Sequence, residues 1–357
     1  MTASRKSARK RSVRRKAQRS RRRQRPQAEP RTTIKVRRPD DLLAIIPYLI
    51  RFHPEEDLVV VFVKSDQIRL TTRTDLPPES AADELAEWID ALAKREQIDA
   101  LALVAYSAAP LAANRLLTRL MDRLSDHTLT DVLYVGHGRW WSLTCADECC
   151  PLAGTPYDLT THPISAAAVF AGLGLHASRR EIENSISGPP EAELPRLLDL
   201  AADLLAELTP FDSRAAAEEL LVSVMDAATA DASDLDERSS LLLALLVTDV
   251  YVRDFAWARI SRSNAEQHVR LWTSVVSRVP PELAAAPLCL LGMAAWVAGE
   301  GALVNCCWDR VSQIHPDYSM GRLLADISER GVPPSVWQEI RDDMQADLNA
   351  ERALLAS

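Results

Sequence analysis

The clearest pattern in the chain is an unbroken apolar run at residues 58–63, rich in β-branched side chains and preceded by Asp57. Such a run predicts a buried strand. A polar turn at 64–67 leads into 68–74, where apolar and polar residues alternate, so the two segments predict a hairpin that Pro77 and Pro78 terminate. Ahead of it, Asp40 or Asp41 is placed to cap a short helix over 42–50 that stops near Pro54. Behind it, Ser80 is placed to cap a helix with Ala81, Leu85, Trp88, Ile89 and Leu92 on one face. A strand at 100–106 follows, then an amphipathic helix carrying Leu111, Leu116, Leu120 and Leu124, then strands at 132–135 and 140–144. Strands alternating with helices of this length predict α/β units, with at least part of the sheet parallel.

The pattern changes after Pro151. Residues 187–195 read SGPPEAELP, a linker by their prolines and glycine, and from Leu197 onward the periodicity is helical only. Leu197, Ala201, Leu204 and Leu208 form one stripe and Leu220, Val224 and Ala227 another, while 241–257 is apolar on most faces and therefore central. No fixed-period repeat points to a solenoid. The fold expected is α/β: a mixed sheet domain over 34–186, a linker at 187–195 and an all-α helical domain over 196–357, behind a basic tail at 1–33.

Charge sharpens that division. The net formal charge of −8 conceals 17 Lys/Arg and a single acid, Glu29, in residues 1–38, a local +16 that leaves −24 for residues 39–357. Thirteen of the first 25 residues are Lys or Arg, and Val13 is their only branched apolar side chain, so nothing there offsets the entropy of ordering. The tail is expected to be disordered. The apolar stretch at 42–50 is short, contains Pro47 and follows two acids, which argues against a secretory signal. The tail is too dense in charge for the amphipathic face of a transit peptide. The apolar, alanine-rich stretch 283–299 is 17 residues without a charge and contains Pro287 and Gly292, which favours a buried helix over a membrane span. Six cysteines, four of them in the vicinal pairs Cys149–Cys150 and Cys306–Cys307, suit reduced thiols and a cytoplasmic setting.

The densest polar and aromatic segment runs from Gly136 through His137, Arg139, Trp140, Trp141 and Cys145 to Cys149, Cys150 and Gly154. It follows a predicted strand, where open α/β sheets place their ligands. His137, Cys145, Cys149 and Cys150 form a set that zinc would accept, although C-x3-C-C has no second pair nearby; the alternative is that the thiols pack as small hydrophobes. Cys145 is also a candidate nucleophile if His137, His53 or His162 meets it in space. Arg73 and Asp75, two apart on a strand, share a face and can contact an anionic ligand, act as a base, or simply fix a turn as an ion pair. Asp249 and Arg253 are spaced for an i,i+4 salt bridge. Asn305, Cys306, Cys307 and His315 form a weaker cluster that core packing explains. Neither phosphate-binding glycine motif occurs, so nucleotide chemistry is not indicated.

The tail invites a polyanion. Arg14, Arg15, Lys16, Arg21, Arg22 and Arg23, with their neighbours in residues 1–25, would bind nucleic acid by counterion release, without base stacking because no aromatic residue interleaves them. An acidic membrane surface is an equal electrostatic target, but no amphipathic helix or lipidation signal anchors the tail there.

Several motifs taken in order carry a family resemblance: Pro47-Tyr48-Leu49 with Phe52-His53-Pro54; Arg73-Thr74-Asp75-Leu76-Pro77; Gly138-Arg139-Trp140-Trp141-Ser142-Leu143 with Cys145 and Cys149-Cys150-Pro151; Val252-Arg253-Asp254; Ala294-Ala295-Trp296 through Asn305; Gly331-Val332-Pro333-Pro334 with Trp337. The chain resembles the bacterial domain of unknown function 4192 family over roughly residues 39–340. The resemblance implies no activity. It marks Arg73, Asp75, Arg139, Trp140, Cys145 and Arg253 as positions on family motifs, and Arg51 stands where the pattern has a glycine. The reading that results is a ligand-binding or accessory protein, open to a protein partner, with a polar–aromatic cleft at the sheet edge built from His53, Arg73, Asp75, His137, Arg139, Trp140 and Arg253. The alternatives are a metal-dependent or Cys/His hydrolase-like enzyme and a nucleic-acid-associated protein tethered by its tail.

Overall fold

The computed structural model describes residues 34–145, 150–170, 174–208, 214–230 and 235–355. The basic tail at 1–33 and Cys149 lie outside them. Arg37–Ser357 is one compact unit, and every element below belongs to it.

Helix α1 (Pro39–Ile50) starts three residues before the apolar stretch, because Pro39 fits the first helical turn and Asp41 reaches back to accept from the backbone N–H of Arg37 and Arg38 at 3.0 and 3.1 Å. It ends at Arg51, whose φ of 71° is left-handed. A glycine was the expectation at this position, and the chain makes the left-handed turn with an arginine. Its carbonyl accepts from His176 N, and its guanidinium reaches Gly174 O at 3.4 Å and Glu300 at 3.8 Å.

The hairpin is β1 (Asp57–Lys64) and β2 (Gln67–Asp75). A 3-10 turn at Glu79–Ala81 feeds α2 (Ala82–Glu96), so Ser80 lies inside that turn and does not cap the helix. Next come β3 (Ala100–Tyr106), α3 (Pro110–Arg123), β4 (Leu129–Gly136), β5 (Arg139–Ser142) and β6 (Thr155–Pro156). The strand order is β2-β1-β3-β4-β5-β6, with β3 and β4 parallel and all other pairs antiparallel. The β3–α3–β4 crossover supplies the parallel pair. On one face of the sheet Leu58, Val60, Phe62, Leu101, Leu103, Val132 and Tyr134 pack against α2 and α3 in a continuous apolar core. The residues between them point to the opposite face. There α1 lies against β2 and is followed by α4 (Pro163–Phe170), which packs on α1.

The remainder is helical: α5 (Arg179–Ser185), α6 (Leu194–Leu208), α7 (Arg214–Ala230), α8 (Glu237–Leu246), α9 (Val250–Ala258), α10 (Ala265–Val276), α11 (Pro281–Ala298), α12 (Gly301–Ile314), α13 (Ser319–Glu329) and α14 (Trp337–Leu355). The stripe in α6 is as expected, with Leu197, Ala201 and Leu204 buried. In α7 it is Leu221 and Met225 that are buried and Ala227 that is exposed, one residue away from the expected set. The apolar stretch 241–257 is broken between α8 and α9 because Asp249 caps α9, accepting from Val252 N at 3.0 Å. α11 is long and apolar enough to cross a membrane by length and composition, and 78% of it is buried inside the chain, packed on α10, α12 and α13. Trp88 Nε1 donates to Glu329 O and Arg95 to Gly331 O, each at 2.9 Å, which ties α2 to the end of α13.

Candidate functional site

Strand pairing aligns one row of residues across the whole sheet: Asp75, Asp57, Tyr106, Val135, Trp140 and Thr155, each opposite the next. Directly paired residues point to the same face, and this is the face turned away from α2 and α3. The next row on that face holds Arg73, Val59, Val104, Leu133 and Ser142. The first row closes the carboxyl end of the parallel pair β3 and β4, the end at which open α/β sheets bind ligands.

Asp57 opens β1 with its side chain 4% exposed. It forms an ion pair with Arg73 Nη2, and its Oδ2 accepts from Glu55 N at 2.9 Å. The same Arg73 nitrogen donates to Asp75 Oδ1 at 2.5 Å, and the guanidinium stands 5.5 Å from the centre of the Phe52 ring. Burial pushes the Asp57 carboxyl above its ordinary range even though the Arg73 charge pulls the other way. Tyr106 OH is buried with no hydrogen-bond partner among the described residues, and burial holds the phenol well above its usual range, aided by Tyr157 and Asp57. Trp140 Nε1 and Arg73 Nε are likewise buried without partners. Three donors and a buried carboxylate therefore share one face. A buried donor without an acceptor costs about 1–3 kcal/mol, so their coincidence here calls for a reason.

The neighbouring segment works differently. β4 and β5 turn through His137 and Gly138, whose φ values of 54° and 72° make a two-residue hairpin turn with both central residues left-handed. His137 is exposed at its tip. Arg139 points to the opposite face from Trp140 and holds the following loop, donating to Gly154 O at 2.9 Å and Ala153 O at 3.3 Å. Trp141 stacks on Tyr134 at 5.1 Å and donates to Leu152 O. Gly154 lies so close under the Trp141 ring that a Cβ would overlap it.

The structure thus brings Arg73, Asp75 and Trp140 onto one face. His53 is exposed beyond Phe52, and His137 and Arg139 serve the hairpin. Arg253 belongs to the helical part, where it donates to Asp254 at 2.7 and 2.9 Å and to Tyr318 OH at 3.2 Å. The expected Asp249–Arg253 ion pair is replaced by the Asp249 cap. His162 sits at the start of α4, accepting from Ile164 N through Nδ1, with Nε2 at 3.6 Å from Asp41 and 3.8 Å from Asp40. Cys145 is half-buried, and its N–H donates to Ser142 Oγ at 3.2 Å. Among the described residues no group of three or more His, Cys, Asp or Glu side chains can hold a metal ion. Cys306 and Cys307 are buried, with burial raising both thiols, and Asn305 accepts from Ser328 Oγ.

Two residues of the site, Asp57 and Tyr106, were not singled out from the sequence. The signal was present: Asp57 has the parity of Val59 and Val61, which places an acid on a buried face.

The model of a protein family described as a domain of unknown function (DUF4192) matches residues 39–335. No curated protein and no solved structure matches the chain.

Proposed function

The chain belongs to the DUF4192 family, a domain of unknown function, and on that premise we propose that it is a binding protein for a small polar molecule. The ligand would present oxygen acceptors to Tyr106 OH, Trp140 Nε1 and Arg73 Nε, and a donor to Asp57. The observation that carries this reading is the single face on which those three buried donors lack acceptors among the described residues. Asp57 and Asp75 both hold the Nη2 of the guanidinium, so the cation is preorganised for recognition. The test is native against denaturing mass spectrometry of the full-length protein taken directly from cells. A mass excess that is lost on denaturation, and is missing from the Tyr106→Phe/Trp140→Phe variant, is the expected result. An excess that the variant retains, or none in the parent protein, overturns the reading.

A second reading rests on the charge pattern. Thirteen cationic side chains without an acid in residues 1–25 would tether the protein to nucleic acid, with affinity falling steeply as salt rises. Removing residues 1–30 should abolish that binding, and an unchanged salt slope after removal refutes it.

A further inference from the structure

Another buried polar atom without a partner among the described residues lies in the helical part, remote in sequence from the sheet. His268 on α10 is 6% exposed, and its Nδ1 has no hydrogen-bond partner among the described residues. It lines a cavity of about 260 Å³ together with Arg259, Asp226, Gln345, Met225 and Leu271. Arg259 stands just past the end of α9, with its guanidinium 5.8 Å from the centre of the Phe255 ring. Its separation from Asp226 is 3.9 Å, too long for a hydrogen bond. Gln345 spends its amide N–H on Ala258 O at 2.9 Å, which fixes the side chain on the wall.

The charged groups on this wall are Arg259, from the connection after α9, and Asp226, from α7; α14 contributes the neutral Gln345. The helices α8 and α11 also pack on α10, and their buried residues include no carboxylate or amine. Burial, with the Arg259 charge beside it, pulls His268 down to about 4, so its imidazole is neutral at pH 7.

We propose that this cavity binds a small organic carboxylate, held between the Arg259 guanidinium and the His268 imidazole with its apolar part against Met225 and Leu271. A carboxylate matches the guanidinium fork and accepts from Nδ1–H, which satisfies the buried nitrogen and completes the pairing of the cation. An anion beside His268 also favours the imidazolium, so binding and proton uptake are coupled, each strengthening the other by the same factor.

The probe is sodium propionate, titrated into full-length protein against sodium chloride at equal ionic strength, with the His268 imidazole nitrogens followed by NMR at pH 7 and pH 5. The expected result is a saturable shift with propionate only, roughly tenfold tighter at pH 5 than at pH 7. Arg259→Gln should lose the saturation, and His268→Gln should keep weak binding that no longer depends on pH. If Arg259→Gln fails to fold, Arg259→Lys keeps the charge without the fork and should bind more weakly than the parent. Equal shifts with chloride, no saturation, or parent-like binding by the folded Arg259 variant would overturn the proposal. The site is separate from the sheet face, so loss of one leaves the other testable.

Discussion

The two faces of the sheet are built from the same strands, one residue out of phase, and they have opposite chemistry. The face under α2 and α3 is closed by Leu58, Val60, Phe62, Leu103 and Val132, and the polar atoms reaching out of it are paired: Tyr134 OH donates to Ser107 O at 3.1 Å, Trp141 Nε1 to Leu152 O and Trp88 Nε1 to Glu329 O. The opposite face begins just as apolar, with Val59, Val61 and Val104 buried, but ends in Asp57, Arg73, Tyr106 and Trp140 with three donors that find no partner among the described residues. The first face satisfies every requirement of a core, whereas the second accepts a penalty that a Phe or Leu would remove. Stability alone does not account for that difference, and it is why we propose the second face as the binding face.

The comparison is tested most severely by large substitutions on each side. Phe62→Ala removes a side chain that is fully buried in the apolar face, and a loss of about 3–5 kcal/mol in urea unfolding is expected. That loss should be the same at pH 5 and pH 8, because Phe62 packs within a cluster of apolar side chains. Arg73→Met leaves Asp57 buried beside no cation and should cost about 3 kcal/mol at pH 8, toward the lower end for a broken buried pair because Glu55 N still donates to the carboxylate. Unlike the first, this loss should shrink as the pH is lowered. The Asp57 carboxyl is already raised in the folded parent. Between its unfolded value near 3.8 and that raised value the folded state binds the extra proton, so its contribution is present below the window and is lost as pH rises through it. A pH-independent cost for Arg73→Met would mean that Asp57 is not the group left exposed.

How far these faces can be read from the sequence depends on the range of the interaction. The β1–β2 hairpin, the strand at 100–106 and the stripe on α6 follow from alternation and spacing, which are local. Arg73 and Asp75 were paired by the same rule, and the structure has them 2.5 Å apart. Asp57 was passed over because an acid before an apolar run reads as a boundary, although its parity puts it inside. The Trp140 environment needs the register of three strands, and the partnership of Arg253 with Tyr318 joins residues 65 apart through helix packing. No periodicity encodes that. Asp249 shows the opposite difficulty, since its spacing to Arg253 suits an ion pair while its side chain terminates one helix and starts another.

A smaller effect separates strain from use. Tyr106→Phe deletes a buried hydroxyl without a partner among the described residues, so stability should change by less than about 1 kcal/mol, or rise. Trp140→Phe has the same logic but also leaves space behind, and should cost more. If Tyr106→Phe is instead lost by several kcal/mol in thermal unfolding, the hydroxyl has a bound partner in solution, and the same protein should then be checked for the mass excess that denaturation removes.

The smallest effect is expected from Asp75→Asn, and it sharpens the contrast within the row itself. Asp75 and Asp57 are directly opposite one another and share one arginine nitrogen, yet the Asp75 side chain is 87% exposed and that of Asp57 4%. An exposed ion pair is screened by water and salt, so Asp75→Asn should cost less than about 0.5 kcal/mol. The effect should fade further in 0.5 M salt, while the cost of Arg73→Met should hardly respond, because the Debye length acts on solvent-facing charges and not on a buried pair. Should Asp75→Asn abolish ligand binding while leaving unfolding unchanged, Asp75 would be a contact to the bound molecule, and its position at the exposed end of the row would mark the mouth of the site.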